Sequence, residues 1–482
     1  KVAFNSYNVR SKVDMEKYTG EFTANGDNIP ITLPFNDYKT TAKEYIWLMN
    51  ENIINLRMPD DPNQAVFEST HPDQAGLKYQ ASGAVVDIAN NTIKVDGVPY
   101  IVVGDAKIRP DNTQVNIKPG AVIETLKNAL MVTDKINEYH SLEDCTLDIK
   151  SAYVFKGNGT YQFKVKGLKK QKIVFDEITS LKDEEKKGDI YYTFAEAKIP
   201  EERSFKLSSR IDYKGKVNLD SRKQYLIFDG LAKLDLVSKD YIDSKWFKLK
   251  DDINPDNVQI DVTAPIGERN DTLTFGISQD MDALELYPTF LFNKRTPLDV
   301  NVFNTNGELQ FDPATNTYKV GTKERVLGVN DYGELYTLRD DKSSLSTEGA
   351  MNLGKYGLVD FKVSGKIDND LKAKTFDFKN ITMAIDFMFD KKLIANMASV
   401  LRTSSADNPE IKYTDESIKS VIQLVPKDKM DDVKRMLNQM GYVSERYKGL
   451  DKTLLLTNVT MVWDTSTRTI RSVGQIGVAY IG

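Results

Sequence analysis

Cysteine and histidine are almost missing from this chain. Its 482 residues include one cysteine, Cys145, and two histidines, His71 and His140. A single cysteine excludes an intrachain disulfide, and it fits the cytosol and the bacterial envelope alike. Neither histidine has a second histidine at metal-ligand spacing, and Cys145 and His140 form no recognisable ligand pair. No metal site and no cofactor is therefore expected. A Cys–His or Ser–His–acid nucleophile would have to be built on one of these two histidines. No Gly-x-Ser-x-Gly elbow surrounds a serine, and no Gly-x-x-x-x-Gly-Lys-Ser/Thr loop offers a phosphate cradle. No Gly-x-Gly-x-x-Gly follows a strand. Cys145 lies in the alternating run Cys145-Thr146-Leu147-Asp148-Ile149, where it reads as a small buried hydrophobe rather than a reactive thiol.

Long apolar runs and charge blocks are missing too. No stretch of about 20 apolar residues exists, so no helix is expected to cross a membrane. Lys and Arg number 65 and Asp and Glu 70, for a net charge of -5. The signs are interleaved, without the basic stripe of a nucleic-acid protein. The 70 acidic residues permit a glycosidase-like carboxylate pair and assign none. Asp368-Asn369-Asp370 lacks the full loop of oxygen ligands that calcium needs and reads as a hairpin turn.

What is present is apolar and periodic. Hydrophobic residues make up 40% and aromatics 10%, enough for packed cores, and the length suggests two to four modules. The dominant pattern is period-2 alternation, as in Tyr161-Gln162-Phe163-Lys164-Val165 and Lys216-Val217-Asn218-Leu219. A weak repeat overlies it. Gly83 to Ile88 followed by Thr92 to Gly97 is one form. Gly215 to Asp220 followed by Tyr225 to Gly230 is another, and Gly307 to Asp312 followed by Tyr318 to Gly321 a third. Asn458 to Asp464 followed by Thr469 to Gly474 is the fourth. Each has a Gly or Asn, an alternating strand, a polar turn often opened by Asp, and a second strand.

A lone strand pair cannot bury its apolar face, so successive pairs are expected to stack. The expected fold is mainly β. It is either an extended stacked β-jelly-roll or solenoid or a series of β-sandwich repeats. Tyr100 to Val103 is apolar without alternation and suits a strand buried on both faces. Gly120 to Val132 reads as a helix or as two short strands around Asn128. Arg57-Met58-Pro59-Asp60-Asp61-Pro62 reads as a loop.

Helical text gathers near the C-terminus. Asp390 to Leu401 carries Leu393, Ile394, Met397, Ala398 and Leu401 at helical spacing. Asp415 to Leu424 has Thr414 as N-cap and Pro426 as a stop. Lys427 to Met440 presents Met430, Val433, Met436, Leu437 and Met440 on one face, with Gly441 as C-cap. These methionines fit core packing better than an adaptable binding face. The expected organisation is an N-terminal β-rich segment over 1–80 and β-repeat regions over 81–250 and 251–387. A small α+β helical insertion over 388–450 and a β continuation over 451–482 follow. The chain opens on Lys1, and Gln475 to Gly482 still reads as strand, so a longer chain with its leader or anchor outside this sequence is expected.

Among 23 tyrosines, Tyr153, Tyr161, Tyr191 and Tyr192 sit in or beside strand text and form the candidate binding surface. Tyrosines on a sheet can stack on sugars or anchor a protein partner, and they also fill half-buried pleated faces.

The Gly–strand–turn–strand–Gly pattern, carried best by 83–108, 213–236 and 457–478, resembles the β-jelly-roll repeats of the lipopolysaccharide-transport (organic solvent tolerance) family. The chain also resembles the large β-repeat envelope proteins of Bacteroidota, most of all in Val98 to Tyr161, with Val98-Pro99-Tyr100-Ile101 and Asn128-Ala129-Leu130. Its length, helical lobe and many charges depart from the transport family. The resemblance implies a periplasmic, outer-membrane or cell-surface protein of a Gram-negative bacterium, and it supplies no catalytic residue. The leading expectation is a non-enzymatic envelope scaffold that binds envelope proteins. A conduit for lipid or another apolar ligand is the second reading. A glycan-binding protein or carboxylate glycosidase is the third.

Overall fold

The computed structural model describes residues 2–26, 29–57, 65–354, 357, 359–404, 412–443 and 447–482. Apart from Arg57, the loop expected at Arg57 to Pro62 lies outside the described residues. The chain is mainly β, built of large antiparallel sheets, none of them closed. The α-helices among the described residues are α1 (Lys323–Val326), α2 (Lys391–Ser404), α3 (Asp415–Ile422) and α4 (Met430–Met440). Two compact units form. One is Lys1–Phe205 with Lys214–Asp229 and Asp252–Pro255, and the other is Lys206–Tyr213 with Gly230–Asp251 and Asp256–Gly482.

One local device recurs in both units. Five hairpin loops share the frame Asp-x-x-x-x-Thr, with Asp and Thr facing each other across the ladder: Asp14–Thr19, Asp87–Thr92, Asp312–Thr317, Asp370–Thr375 and Asp464–Thr469. In each, the Asp carboxylate accepts from backbone N–H groups two or three residues on, as from Lys372 and Ala373 at 2.9 Å for Asp370. This Asx turn starts the reversal. The fourth loop residue completes it in the left-handed region: Tyr18 (φ 54), Asn91 (φ 54), Asn316 (φ 50), Lys374 (φ 55) and Arg468 (φ 56). The Asp that opens the polar turns of the sequence repeat is thus the residue that shapes them.

In the first unit, successive hairpins alternate between two sheets. One sheet orders Val9–Asp14, Thr19–Ala24, Glu44–Leu48, Ile53–Arg57, Gly83–Asp87, Thr92–Asp96 and Val115–Ile117. The hairpins between them, Ile31–Leu33 with Tyr38–Thr40, Ala65–Ser69 with Lys78–Ala81, and Ile101–Val103 with Ala106–Arg109, belong to the other. That second sheet continues through Leu126–Thr133, His140–Ile149, Phe155–Phe163, Gln171–Lys182 and Tyr191–Ile199, the last pairing with Gly215 to Asp220. Ser82 alone separates Ala81 from Gly83, so the chain changes sheet at a corner. The corner is tight: a Cβ on Gly97 (φ +71) would stand 2.0 Å from the Ser82 hydroxyl. Alternate residues of both sheets, among them Tyr45, Ile54, Val86, Val95, Phe67, Ile101, Ile108 and Met131, are buried. Each such side chain contributes roughly 1.5–3 kcal/mol.

Two details differ from the sequence expectation or resolve it. Ile101–Val103 is buried on one face only; Val102 is half-buried and Tyr100 is 46% exposed. Its hairpin is covered by core on one side, so the continuous apolar run does not mark a strand buried on both faces. Gly120 to Val132 contains the strand Leu126–Thr133, bulged at Asn128 (φ 51), rather than a helix.

In the second unit, consecutive strands form an antiparallel meander: Glu308–Asp312, Thr317–Gly321, Leu335–Arg339, Ser344–Met351, Asp360–Asp370, Thr375–Asp386, Leu454–Asp464 and Thr469–Ser472. Gln259–Asp261 and Gly477–Ile481 pair onto it. Asp340, fully buried, ties a second segment to it by accepting from the backbone N–H of Val237 (2.7 Å) and Ser238 (2.9 Å) and from the Ser238 hydroxyl (2.6 Å). Thr375–Asp386 and Leu454–Asp464 pair directly, so α2, α3 and α4 are looped out between neighbouring strands. Thr414 and Ser417 form a reciprocal capping box at the start of α3, and Gly441 (φ 73) ends α4. Met430, Val433, Met436 and Leu437 of α4 pack with Ile418, Val421 and Ile422 of α3 and with Ala384 and Leu455 of the sheet. These methionines are core residues, while Met440 is 43% exposed.

Candidate functional site

The four tyrosines expected to bind lie in the first unit, all half-buried, and fall into two groups. Tyr191 and Tyr192 are neighbours in one strand, so their side chains leave opposite faces. Tyr191 stacks on Tyr153, with ring centroids 5.3 Å apart and 14° between planes. Tyr192 lies under Arg222, whose guanidinium carbon is 3.8 Å from the ring centroid. Tyr161 does not join the stacked pair. Its ring sits 5.9 Å from that of His140, and burial pushes its phenol pKa up.

A seam of loop hydrogen bonds holds these rings. Ser151 accepts from the N–H groups of Tyr153 (3.2 Å) and Val154 (3.1 Å), setting the turn that presents Tyr153. Gly104 N–H donates to the Ala152 carbonyl at 2.9 Å. Gly104 has φ +60, and a Cβ there would come within 3.3 Å of both the Tyr153 carbonyl and the Tyr191 Cβ. Thr193, fully buried, donates its hydroxyl to Asp105 at 2.7 Å and its N–H to the Ser221 hydroxyl at 3.0 Å. Ser221 N–H returns to the Thr193 carbonyl at 3.0 Å. The loops around Gly104, Ser151 and Ser221 are thereby pinned to the start of Tyr191–Ile199.

Charge at this seam is concentrated on Arg222. Its Nε and one terminal nitrogen donate to Asp220 at 2.9 and 2.7 Å, and the other terminal nitrogen lies 3.8 Å from buried Asp183. Burial works against the ionised form of Asp220, but the paired Arg222 bonds win and hold its carboxyl below the usual range. Arg222 is thus held over the Tyr192 ring, its side chain still 40% exposed. His140 is fully buried, with Nε2–H donating to the Lys223 carbonyl at 2.9 Å and Nδ1 without a partner. Burial lowers its pKa, so the ring stays neutral.

The residues that most often carry catalysis have structural places here. Cys145 is buried opposite Ala129, and burial pushes its thiol up to about 12, with Asp144 adding to the rise. His71 caps the turn Pro72–Gln74, its Nδ1 accepting from the Asp73 N–H at 3.3 Å. Asp370 of the Asp368-Asn369-Asp370 run opens a hairpin turn, and Asp368 pairs with Lys366 and Lys379. Among the described residues no group of His, Cys, Asp and Glu is arranged to hold a metal ion.

Sequence reasoning singled out the four tyrosines but missed Gly104, Asp105, Thr193, Ser221 and Arg222. Asp220-Ser221-Arg222 does carry the signature of a turn opened by Asp, yet nothing local shows that this turn meets Tyr192. The arrangement offers half-exposed aromatic faces beside a fixed guanidinium, on a rigid frame. No protein-family model, curated protein or solved structure matches the chain.

Proposed function

We propose that this chain is a non-enzymatic scaffold of a Gram-negative cell envelope, in the periplasm or at the outer membrane, that binds envelope proteins. One observation carries the reading: the Tyr153–Tyr191 stack and the Tyr192–Arg222 pair are half-exposed yet fixed by hydrogen-bonded loops. Rigid Tyr and Arg side chains lose little entropy on association and are the types that anchor protein interfaces. Cys145, buried with its thiol held protonated, and His140, buried on the Lys223 carbonyl, favour a binding role over nucleophilic chemistry.

The architecture of the first unit supports a stack of strand pairs. Hairpins that alternate between two sheets extend both sheets together, as a β-jelly-roll-like stack requires. The buried inner faces of the first unit favour a packed scaffold over an open conduit for lipid. Among the described residues, Gly477–Ile481 pairs with Leu454–Asp464 alone; it carries no charge, and such a strand suits addition of a partner's strand.

The test compares affinity capture from native envelope membranes by the full chain and by a Tyr153→Ser/Tyr191→Ser variant. Partners retained by the full chain and lost by the variant support the reading. Equal capture by both, or fractionation of the protein to the cytosol, overturns it. Specific binding or hydrolysis on a glycan array would overturn it in favour of a carbohydrate ligand on the same tyrosines.

A further inference from the structure

Helix α2 differs from its neighbours. α3 and α4 bury their apolar faces, but no residue from Lys391 to Thr403 is buried. The helix is started locally: the Asp390 carboxylate accepts from the Lys392 N–H at 2.7 Å, and the Asp390 carbonyl from Ile394 N–H at 3.1 Å. At helical spacing Leu393, Ile394, Met397, Val400 and Leu401 fall in one arc of about 120°. Lys391, Lys392, Asn396, Ser399, Arg402 and Thr403 occupy the opposite side. Leu393 is 46% exposed, Val400 66% and Leu401 37%. Met388 (85%) and Phe389 (45%) extend the apolar surface just before the helix. Phe389 stacks on Phe387 at 5.0 Å, and Phe387 N–H donates to the Thr453 hydroxyl at 3.3 Å, which fixes the base of the helix to the sheet.

Charge says what this face suits. The helix Lys391–Ser404 holds Lys391, Lys392 and Arg402 and no acidic residue, although the whole chain carries -5. α4, which packs on the core, mixes Asp431 and Asp432 with Lys434 and Arg435. After the capping Asp390, the charged residues within the helix are all cations, and an exposed apolar arc beside them complements a surface that is apolar inside and anionic outside. The helix has 14 residues. At 1.5 Å per residue it is too short for the ~30 Å bilayer core, so it would lie along a membrane and not cross it. On such a surface its lysine stems would reach past the apolar arc and place their ammonium groups among headgroups.

We propose that α2, with Met388 and Phe389, is an interfacial helix that docks this chain onto an anionic lipid surface. The assignment is independent of the tyrosine site, which lies in the other unit. The test is cosedimentation of the full chain with vesicles of phosphatidylcholine alone and of phosphatidylcholine with equimolar phosphatidylglycerol. Binding is expected to the anionic vesicles, weakening with salt. Lys391→Glu/Lys392→Glu is expected to lower partitioning at least ~25-fold, from about fivefold per cation removed. Leu393→Glu, at an exposed position that leaves the core intact, is expected to lower it about tenfold or more. Absence of binding to anionic vesicles, equal binding to neutral ones, or no effect of both variants overturns the proposal. So does a dimer in analytical ultracentrifugation that Leu393→Glu dissociates while vesicles do not bind, since the face would then belong to a second copy.

Discussion

The hairpin frame Asp-x-x-x-x-Thr allows a reciprocal exchange between two loops of one sheet. Asn316 and Lys374 occupy the same fourth loop position, at φ 50 and φ 55. The left-handed conformation costs an ordinary side chain about 1 kcal/mol, and Asn tolerates it best among non-glycine residues. Lys374 is exposed, so its replacement removes little besides that strain. Lys374→Asn is therefore expected to stabilise the second unit by ~0.5–1 kcal/mol, and Asn316→Lys to destabilise it by a similar amount. Lys374→Gly should gain less, ~0–0.5 kcal/mol, because glycine also raises the entropy of the unfolded chain. Asp370→Ala, which removes the acceptor for the N–H groups of Lys372 and Ala373, should cost ~1 kcal/mol. Urea unfolding followed by tryptophan fluorescence in a Trp47→Phe background reports on the second unit, where Trp246 and Trp463 lie. The midpoints should move in opposite directions for Lys374→Asn and Asn316→Lys, with unchanged slopes. Shifts of the same sign, or none at either site, would refute the argument that the fourth loop residue carries the strain.

Three further outcomes are expected. Asp340→Ala strands the N–H groups of Val237 and Ser238 and the Ser238 hydroxyl, and should destabilise the second unit by ~3–5 kcal/mol in the same assay, with Asp340→Asn nearer half of that. His140 is held below its ordinary 6.5 by burial. Between its folded value and about 6.5 the unfolded chain binds the proton and the folded chain does not. Stability of the first unit should then rise with pH through that window, by at most ~1.4 kcal/mol per pH unit, and level off above it. A His140→Gln variant that keeps the same pH slope would count against this. Cys145, buried with its thiol pushed up to about 12, should react with a thiol reagent at pH 8 only at the rate of unfolding. Reaction as fast as a free thiol would show that it is accessible.

The sequence by itself determined the local structure of this protein. Period-2 alternation sets strands because successive side chains leave opposite faces, and Asp at a strand end sets turns through bonds to its own backbone. The hairpins at Gly83–Asp96, Glu308–Gly321 and Leu454–Ser472 were legible for that reason, as were the caps Thr414 and Gly441. These are short-range interactions, complete within a few residues. Tertiary structure alone decided which hairpins share a sheet, since Ser82 and Gly97 mark a corner whose direction no local pattern encodes. It also decided that Tyr153 meets Tyr191 while Tyr192 meets Arg222, across 38 and 30 residues of chain respectively. Both α2 and α4 show apolar residues at helical spacing, yet only α4 buries them. Amphipathic spacing specifies that a face seeks cover; what covers it depends on the rest of the fold or on a surface outside it.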